Sequence, residues 1–326
     1  SDARLDGSLS RETSLLFNNL FLMVATATVF VGTLFPLVVE VFDGARITVA
    51  APYFNKVVLP IMVALVMLMA AGPALPWRKT GIDQIKSFFA VPAASGVGTL
   101  AVAFALGVRD WIALLALAAI AIVVLTFGLD IRRSVAARTA VTGERWFGSL
   151  WSLMLWNRRR YGGFVVHIGV TIIAFGIIAS GLYQETKIVV LAPKERFDIG
   201  GYTLQFNGVV PVEGPNWAAR QANLEVAHRG EPIGTLSPQR RHYPRGEMTT
   251  TESAIISGVL GDLYLVIGEE LPGNRASIRA YYIPLVNWIW AGWAVIILGS
   301  LFALSQSRAA ETERQRPRHA AMALTS

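Results

Sequence analysis

The sequence predicts a polytopic α-helical membrane protein with six transmembrane helices and a small extracytoplasmic antiparallel β domain between helices five and six. Three observations carry that prediction. Hydrophobic residues make up 53% of the chain and charged ones 16%, whereas an average soluble chain is about 25% charged. Six apolar segments, near 14–41, 57–75, 88–108, 111–129, 161–183 and 284–305, each supply roughly the 20 residues needed to cross a bilayer. Between the last two, continuous apolar runs give way to short alternating ones.

The first five spans and their loops form a membrane domain over 1–183. Pro36, Pro60, Pro73 and Pro92 fall inside or at the ends of spans. They read as kinks, because neighbouring helices re-satisfy the freed carbonyls in lipid. Lys and Arg in the short loops set the orientation. Arg4 and Arg11 lie in the N-terminal lead, and Arg78, Lys79 and Lys86 in the second loop. Arg132, Arg133, Arg138, Arg145, Arg158, Arg159 and Arg160 fill the fourth loop, and Arg308, Arg314, Arg316 and Arg318 the tail. The first and third loops hold only Arg46, Lys56 and Arg109. Both termini are therefore expected in the cytoplasm. The formal net charge of +7 is accounted for largely by these loops and does not point to nucleic acid. The chain starts at Ser1 with no basic leader or cleavage site, which reads as a fragment.

Near 145–157, Phe147, Leu150, Trp151, Met154 and Leu155 recur with helical spacing. With Trp146 and Trp156 they predict a cytoplasmic amphipathic helix lying in the interface. Span five follows as RRRYGGFVVHIGVTIIAFGIIASG. His167 is the ionisable side chain placed well inside a hydrophobic span, which marks a functional site with a partner to be found. It lies seven residues beyond Arg160, roughly 10 Å along a helix. Gly163, His167, Thr171 and Ala174 share one face, leaving room beside the ring. Gly162, Gly169 and Gly176 make a second smooth stripe suited to close helix packing. Two readings of His167 stand at this point. It is either an axial ligand to haem iron or a histidine hydrogen-bonded to a neighbouring helix.

The β domain occupies 184–283. Apolar residues alternate at 187–191, 202–206, 223–227, 253–256, 262–267 and 277–283. Turn residues separate them at Gly200 and Gly201, at Arg229 and Gly230, and at Pro272, Gly273 and Asn274. Such spacing predicts a small sandwich or barrel. Arg240, Arg241 and Arg245 form a basic run suited to an acidic partner or to haem propionates; the plainer reading is a solvated loop. His228 precedes a turn and reads as exposed. The sixth span, 284–305, opens on Asn287, Trp288, Trp290 and Trp293, an aromatic belt. Residues 306–326 read as a disordered cytoplasmic tail.

Several classes are excluded or weakened. With no cysteine there is no disulfide and no thiol chemistry. No P-loop, metalloprotease motif or nucleophile elbow is present. A transporter half is disfavoured because no carboxylate lies well inside a span, Glu40 sitting at the end of the first.

Six stretches together resemble a known family. They are SRETSLLFNNLFLMVATATVFVGTLFPLVVE at 10–40, APYFNKVVLP at 51–60, NRRRYGGFVVHIGV at 157–170, PQRRHYPRGEMTTTESAI at 238–255, GDLYLVIGE at 261–269 and YYIPLVNWIWAGW at 281–293. In this order they are similar to the C-terminal half of the CcmF family of cytochrome c-type biogenesis proteins, the large subunit of a haem lyase. The resemblance implies a bacterial inner-membrane protein with a periplasmic β domain. It implies a b-type haem in the membrane with His167 as one axial ligand. It also implies help in attaching haem, delivered by the chaperone CcmE, to the thiols of apocytochrome c. The implied partners are CcmE, apocytochrome c with its thiol-handling subunits, membrane lipid, and the missing N-terminal half. That half carries the family's tryptophan-rich haem-handling segment and second axial histidine, so this half alone is expected not to complete haem transfer. The alternative within the same complex is a docking or structural subunit in which His167 only packs.

Overall fold

The structure is a computed structural model that describes residues 11–49, 51–74 and 82–305. Six helices among these are long and apolar enough to cross a membrane: α1 (Arg11–Asp43), α2 (Ala51–Ala74), α3 (Ile82–Ala105), α4 (Trp111–Thr142), α6 (Arg158–Leu182) and α7 (Asn287–Leu304). The short helix α5 (Trp146–Trp156) precedes α6. Arg4, Arg78 and Lys79 lie outside the described residues, as do the whole of 306–326 with Arg308, Arg314, Arg316, Arg318 and His319.

Helix α4 runs past the predicted end of its span. Residues 130–142 contain no Gly or Pro to stop it, so it continues until Gly143, whose φ of 69° closes the last turn with its N–H on the Thr139 carbonyl. At the other end the Asp110 carboxylate accepts the Ala113 N–H at 2.8 Å, capping the helix. Arg138 forks onto Glu144 at 3.0 and 3.1 Å just where the chain turns into α5. In α5, Phe147, Trp151 and Trp156 are exposed and Ser149 is buried, while Leu153 and Met154 pack on Tyr161 and Phe164 of α6 and Phe127 of α4.

Helices α6 and α7 run antiparallel with their backbones in contact. A Cβ placed on Gly169 would lie 2.8 Å from the Gly292 carbonyl, and one on Gly292 would lie 2.7 Å from the Gly169 carbonyl. Gly162 faces Gly299 and Ala303 in the same way. Only residues without side chains allow this approach in lipid, where packing rather than hydrophobicity drives association. Arg158 ties the start of α6 to the end of α7 by donating to the Ser305 carbonyl at 3.0 Å.

The chain forms two compact units, Phe175–Ala291 being the second. That unit is a β-sandwich. One sheet has the order β1 (Glu185–Leu191), β10 (Arg275–Pro284), β9 (Gly261–Leu271), β8 (Ala254–Ser257). The other has β2 (Arg196–Ile199), β3 (Tyr202–Glu213), β4 (Ala218–His228), β6 (Gln239–Tyr243), β7 (Met248–Glu252), with β5 (Glu231–Leu236) also paired to β4. All the pairings are antiparallel. Side chains alternate inward with period two, so Leu204, Phe206, Leu224 and Val226 of one sheet meet Leu263, Leu265 and Ile278 of the other. Turns fall where the sequence places them, with Gly200 and Gly201 at φ 57° and 81° and Gly273 and Asn274 at 82° and 56°.

The structure corrects the β reading in three places. Ten strands are present where six apolar runs were expected. The others escape a hydrophobic pattern because β2 has only four residues and β6, QRRHY, is almost wholly polar. The basic run is therefore not a solvated loop. Arg240 and Arg241 sit in β6, paired with β4 and β7, and Arg245 lies in a 3-10 turn, Pro244–Gly246. His228 is not simply exposed either. Its ring lies 4.5 Å from that of Tyr202 and its Nδ1 is buried.

Candidate functional site

Within the helical unit a cavity of about 730 Å³ opens beside α6. Its volume falls within the range of small-molecule and cofactor sites, about 300–1,000 Å³. Helix α6 contributes Arg159, Arg160, Gly163, Phe164 and His167 to the wall. Arg160, Gly163, Phe164 and His167 recur at i, i+3, i+4 and i+7, with Arg159 beside them, so one face of α6 supplies this wall. Phe127 comes from α4, Leu68 and Met69 from α2, and Ser14, Leu15 and Asn18 from α1.

His167 is held on two sides. Its Nδ1 lies 2.6 Å from the Gly163 carbonyl one turn earlier. A carbonyl only accepts, so Nδ1 carries the proton, and in the neutral ring the lone pair is on Nε2. The Phe127 ring meets the imidazole edge-on at 5.8 Å and stacks on Phe164 at 4.9 Å. This is how an orienting partner fixes the tautomer of a metal-binding histidine. Gly163 serves the site twice. Its carbonyl orients the ring, and a Cβ at this position would meet nothing within 4 Å, so the residue leaves open space. Further along the face, Thr171 is buried and donates to its own helix at Ile168.

The rim is basic. Arg159 and Arg160 line the cavity about two turns from His167. Arg160 donates to Asp130 at 2.6 Å and lies over the Phe164 ring at 5.7 Å, which fixes a planar cation at the margin of an apolar chamber. Among the described residues no group of three His, Asp or Glu side chains gathers to hold a bare ion. His167 offers one donor, as suits a metal that arrives with its other ligands already in a ring.

Sequence reasoning found His167 and Gly163 but not the opposing wall. Ser14 and Asn18, four apart on α1, share one face of that helix, but α1 carries other polar residues such as Asn19, Thr26 and Thr28, so the pair does not stand out or say which helix it meets.

The other predicted site residues belong to the β-sandwich unit. Arg240 and Arg241 are neighbours on one strand and so project to opposite faces. Arg241 is half-buried. Its guanidinium lies 4.3 Å over the Trp217 ring, and its Nε donates to Gln239 at 2.8 Å. Arg240 and Arg245 are exposed. A bidentate ion pair on this unit lies elsewhere, where Arg220 forks onto Glu270, with Nε 2.7 Å from one carboxylate oxygen. Those hydrogen bonds hold the Glu270 carboxyl below the usual carboxylate range, against an opposing effect of partial burial.

Comparison with known proteins bears on the fold. Residues 182–284, essentially the sandwich, match the family described as the CcmF C-terminal beta-sandwich. The chain is 34% identical over 312 residues to the cytochrome c-type biogenesis protein CcmF of Pseudomonas fluorescens, covering 95% of this chain and 46% of that one. It is 30% identical to the Escherichia coli protein of the same name over 94% of this chain and 45% of the other. A solved structure described as the cytochrome c heme lyase CcmF covers 92% of this chain and 46% of its own, with 27% identity and a TM-score of 0.70. The chain thus spans about half the length of the relatives it matches.

Proposed function

On the premise that this chain corresponds to the C-terminal half of CcmF, we propose that it is the part of a cytochrome c maturation protein that holds a b-type haem in the membrane through His167. The single observation that carries this reading is the imidazole whose Nδ1–H is engaged by Gly163 while Nε2 is left for another partner beside a cavity of cofactor size. A histidine serving only to join two helices would spend its outward nitrogen on a neighbouring helix, and here the bond closes on its own turn.

The residues present suit the group. His167 would supply one axial nitrogen, and Phe127 and Phe164 an apolar wall. Arg159 and Arg160 would meet carboxylate side arms at the margin, where a guanidinium binds carboxylate well. Bound there, haem would supply a one-electron iron centre. The chain's own part is to set the imidazole tautomer, to keep water from the apolar side and to balance charge at the rim. The second axial ligand would come from the N-terminal half.

The rest of the assignment follows the resemblance. The chain would be a multi-pass inner-membrane protein with both termini cytoplasmic and the sandwich periplasmic. With the N-terminal half it would receive haem from CcmE and act on apocytochrome c beside the thiol-handling subunits. Arg240 and Arg245, exposed on the sandwich, would guide an acidic partner. Arg241, stacked on Trp217, would hold that strand in place. The competing reading is a docking subunit without haem, supported by those same exposed arginines.

An optical spectrum separates the two. The chain purified with its N-terminal half should show a reduced b-type signal that is lost in His167→Ala while the assembly persists. An unchanged spectrum in that variant leaves the docking reading in place.

A further inference from the structure

The β8–β9 hairpin ends in an apolar tip. Val259 and Leu260 are 75% and 66% exposed, and residues 258–261, GVLG, carry no polar side chain. Large exposed side chains at a hairpin tip usually accompany a mobile loop, yet this backbone is pinned at three successive carbonyls. The Gly258 carbonyl accepts from Asn287 Nδ2 at 2.8 Å, and the Val259 carbonyl accepts the Trp288 indole N–H at 3.1 Å. The Leu260 carbonyl accepts the Leu285 N–H at 3.0 Å. Asp262 completes the lock, accepting from Gly258 N–H at 3.2 Å and from Asn287 Nδ2 at 2.7 Å.

We propose that residues 258–261 are a lipid wedge, seated in the bilayer interface at the level where α7 begins. The inference rests on the reading of α7 as membrane-spanning. Three arguments converge on lipid as the occupant. The groups that pin the loop, Asn287 and Trp288, open α7, so the loop lies at the depth of the helix end. The carbonyls of Gly258, Val259 and Leu260 are satisfied within the protein, which suits a backbone in contact with lipid and is not needed by one in water. Trp290, 70% exposed at the same end, belongs to the aromatic class that settles at headgroup level. The wedge would hold the sandwich at the membrane surface by a second point besides its covalent tethers.

The chain has no cysteine, so single labels are unambiguous. Val259→Cys and Leu260→Cys, spin-labelled separately in the full chain in phosphatidylcholine nanodiscs, are compared with Glu231→Cys on the exposed strand β5. The wedge predicts severalfold fewer collisions with a water-soluble nickel chelate at 259 and 260 than at 231, and more with oxygen dissolved in the lipid. Hydroxyl-radical footprinting of the unsubstituted chain checks the same point without a label. There Val259 and Leu260 should react less than Ile233, which is less exposed in the protein itself. Nickel accessibility equal to the control, or protection that appears only when the N-terminal half is added, overturns the proposal. Neither readout depends on haem, so a failure here is distinct from a failure of the His167 assignment.

Discussion

At His167 a bond that costs little decides what the ring can do. The Gly163 carbonyl already serves the helix, and by taking the Nδ1 proton as well it leaves Nε2 as the acceptor. Gly163 is also the test of whether the space beside the ring matters. Gly163→Leu should preserve or strengthen the helix, since glycine is a poor helix former by about 1 kcal/mol and a Cβ there meets nothing. It should nevertheless abolish haem retention by filling the chamber, as read by the ratio of haem to protein after purification. Full retention would show that the chamber is not where the group sits. The ring itself was legible in the sequence, because an ionisable side chain in an apolar span stands out against its neighbours. Its wall was not. Phe127, Leu68 and Met69 are ordinary residues of their helices, and only tertiary packing brings them to one cavity.

At the scale of elements, the glycine stripe of α6 and the Arg220–Glu270 fork make opposite kinds of prediction. Gly169→Leu forces a side chain into the Ile296 and Gly292 contact. Overpacking of this sort costs about 1–3 kcal/mol, so the variant should lower the thermal midpoint of the purified chain, while Gly163→Leu two turns away does not. An equal effect of the two would mean that the stripe is not the seam. The fork is electrostatic. Glu270's folded carboxyl is depressed by Arg220, so its contribution is present above the ordinary carboxylate value, about 4.3, and disappears as pH falls through the folded one. Both partners are partly exposed, which limits the pair to up to about 1 kcal/mol. Glu270→Gln should therefore unfold the sandwich earlier at pH 7, with the difference from wild type closing in acid. A difference that persists in acid would assign the effect to packing instead. The strands themselves were legible where they alternate, as in β3 and β9. They were hidden where charge replaces pattern, as in β6, which is recruited by its neighbours β4 and β7 rather than by its own hydrophobicity.

Across the whole molecule, six apolar helices and a sandwich inserted between the last two were readable from composition and period, because lipid and a two-sheet core each impose a strong pattern. Which helices meet at the cavity was not, since no local signal encodes the approach of α1 and α2 to α6. Haem held through His167 needs a second ligand, which under the proposed function comes from the N-terminal half found in the relatives. The chain purified alone should therefore hold haem weakly or in a form with one axial histidine, and co-expression with the N-terminal half should convert it. A tightly held form with two axial histidines in the chain alone would contradict that division of labour. The central claim, iron on His167 Nε2, is met most directly by His167→Gly in the co-expressed halves with and without added imidazole. The account predicts that the reduced b-type spectrum is lost in the variant and returns when imidazole occupies the vacated position; a spectrum indifferent to both the substitution and the added base would contradict it.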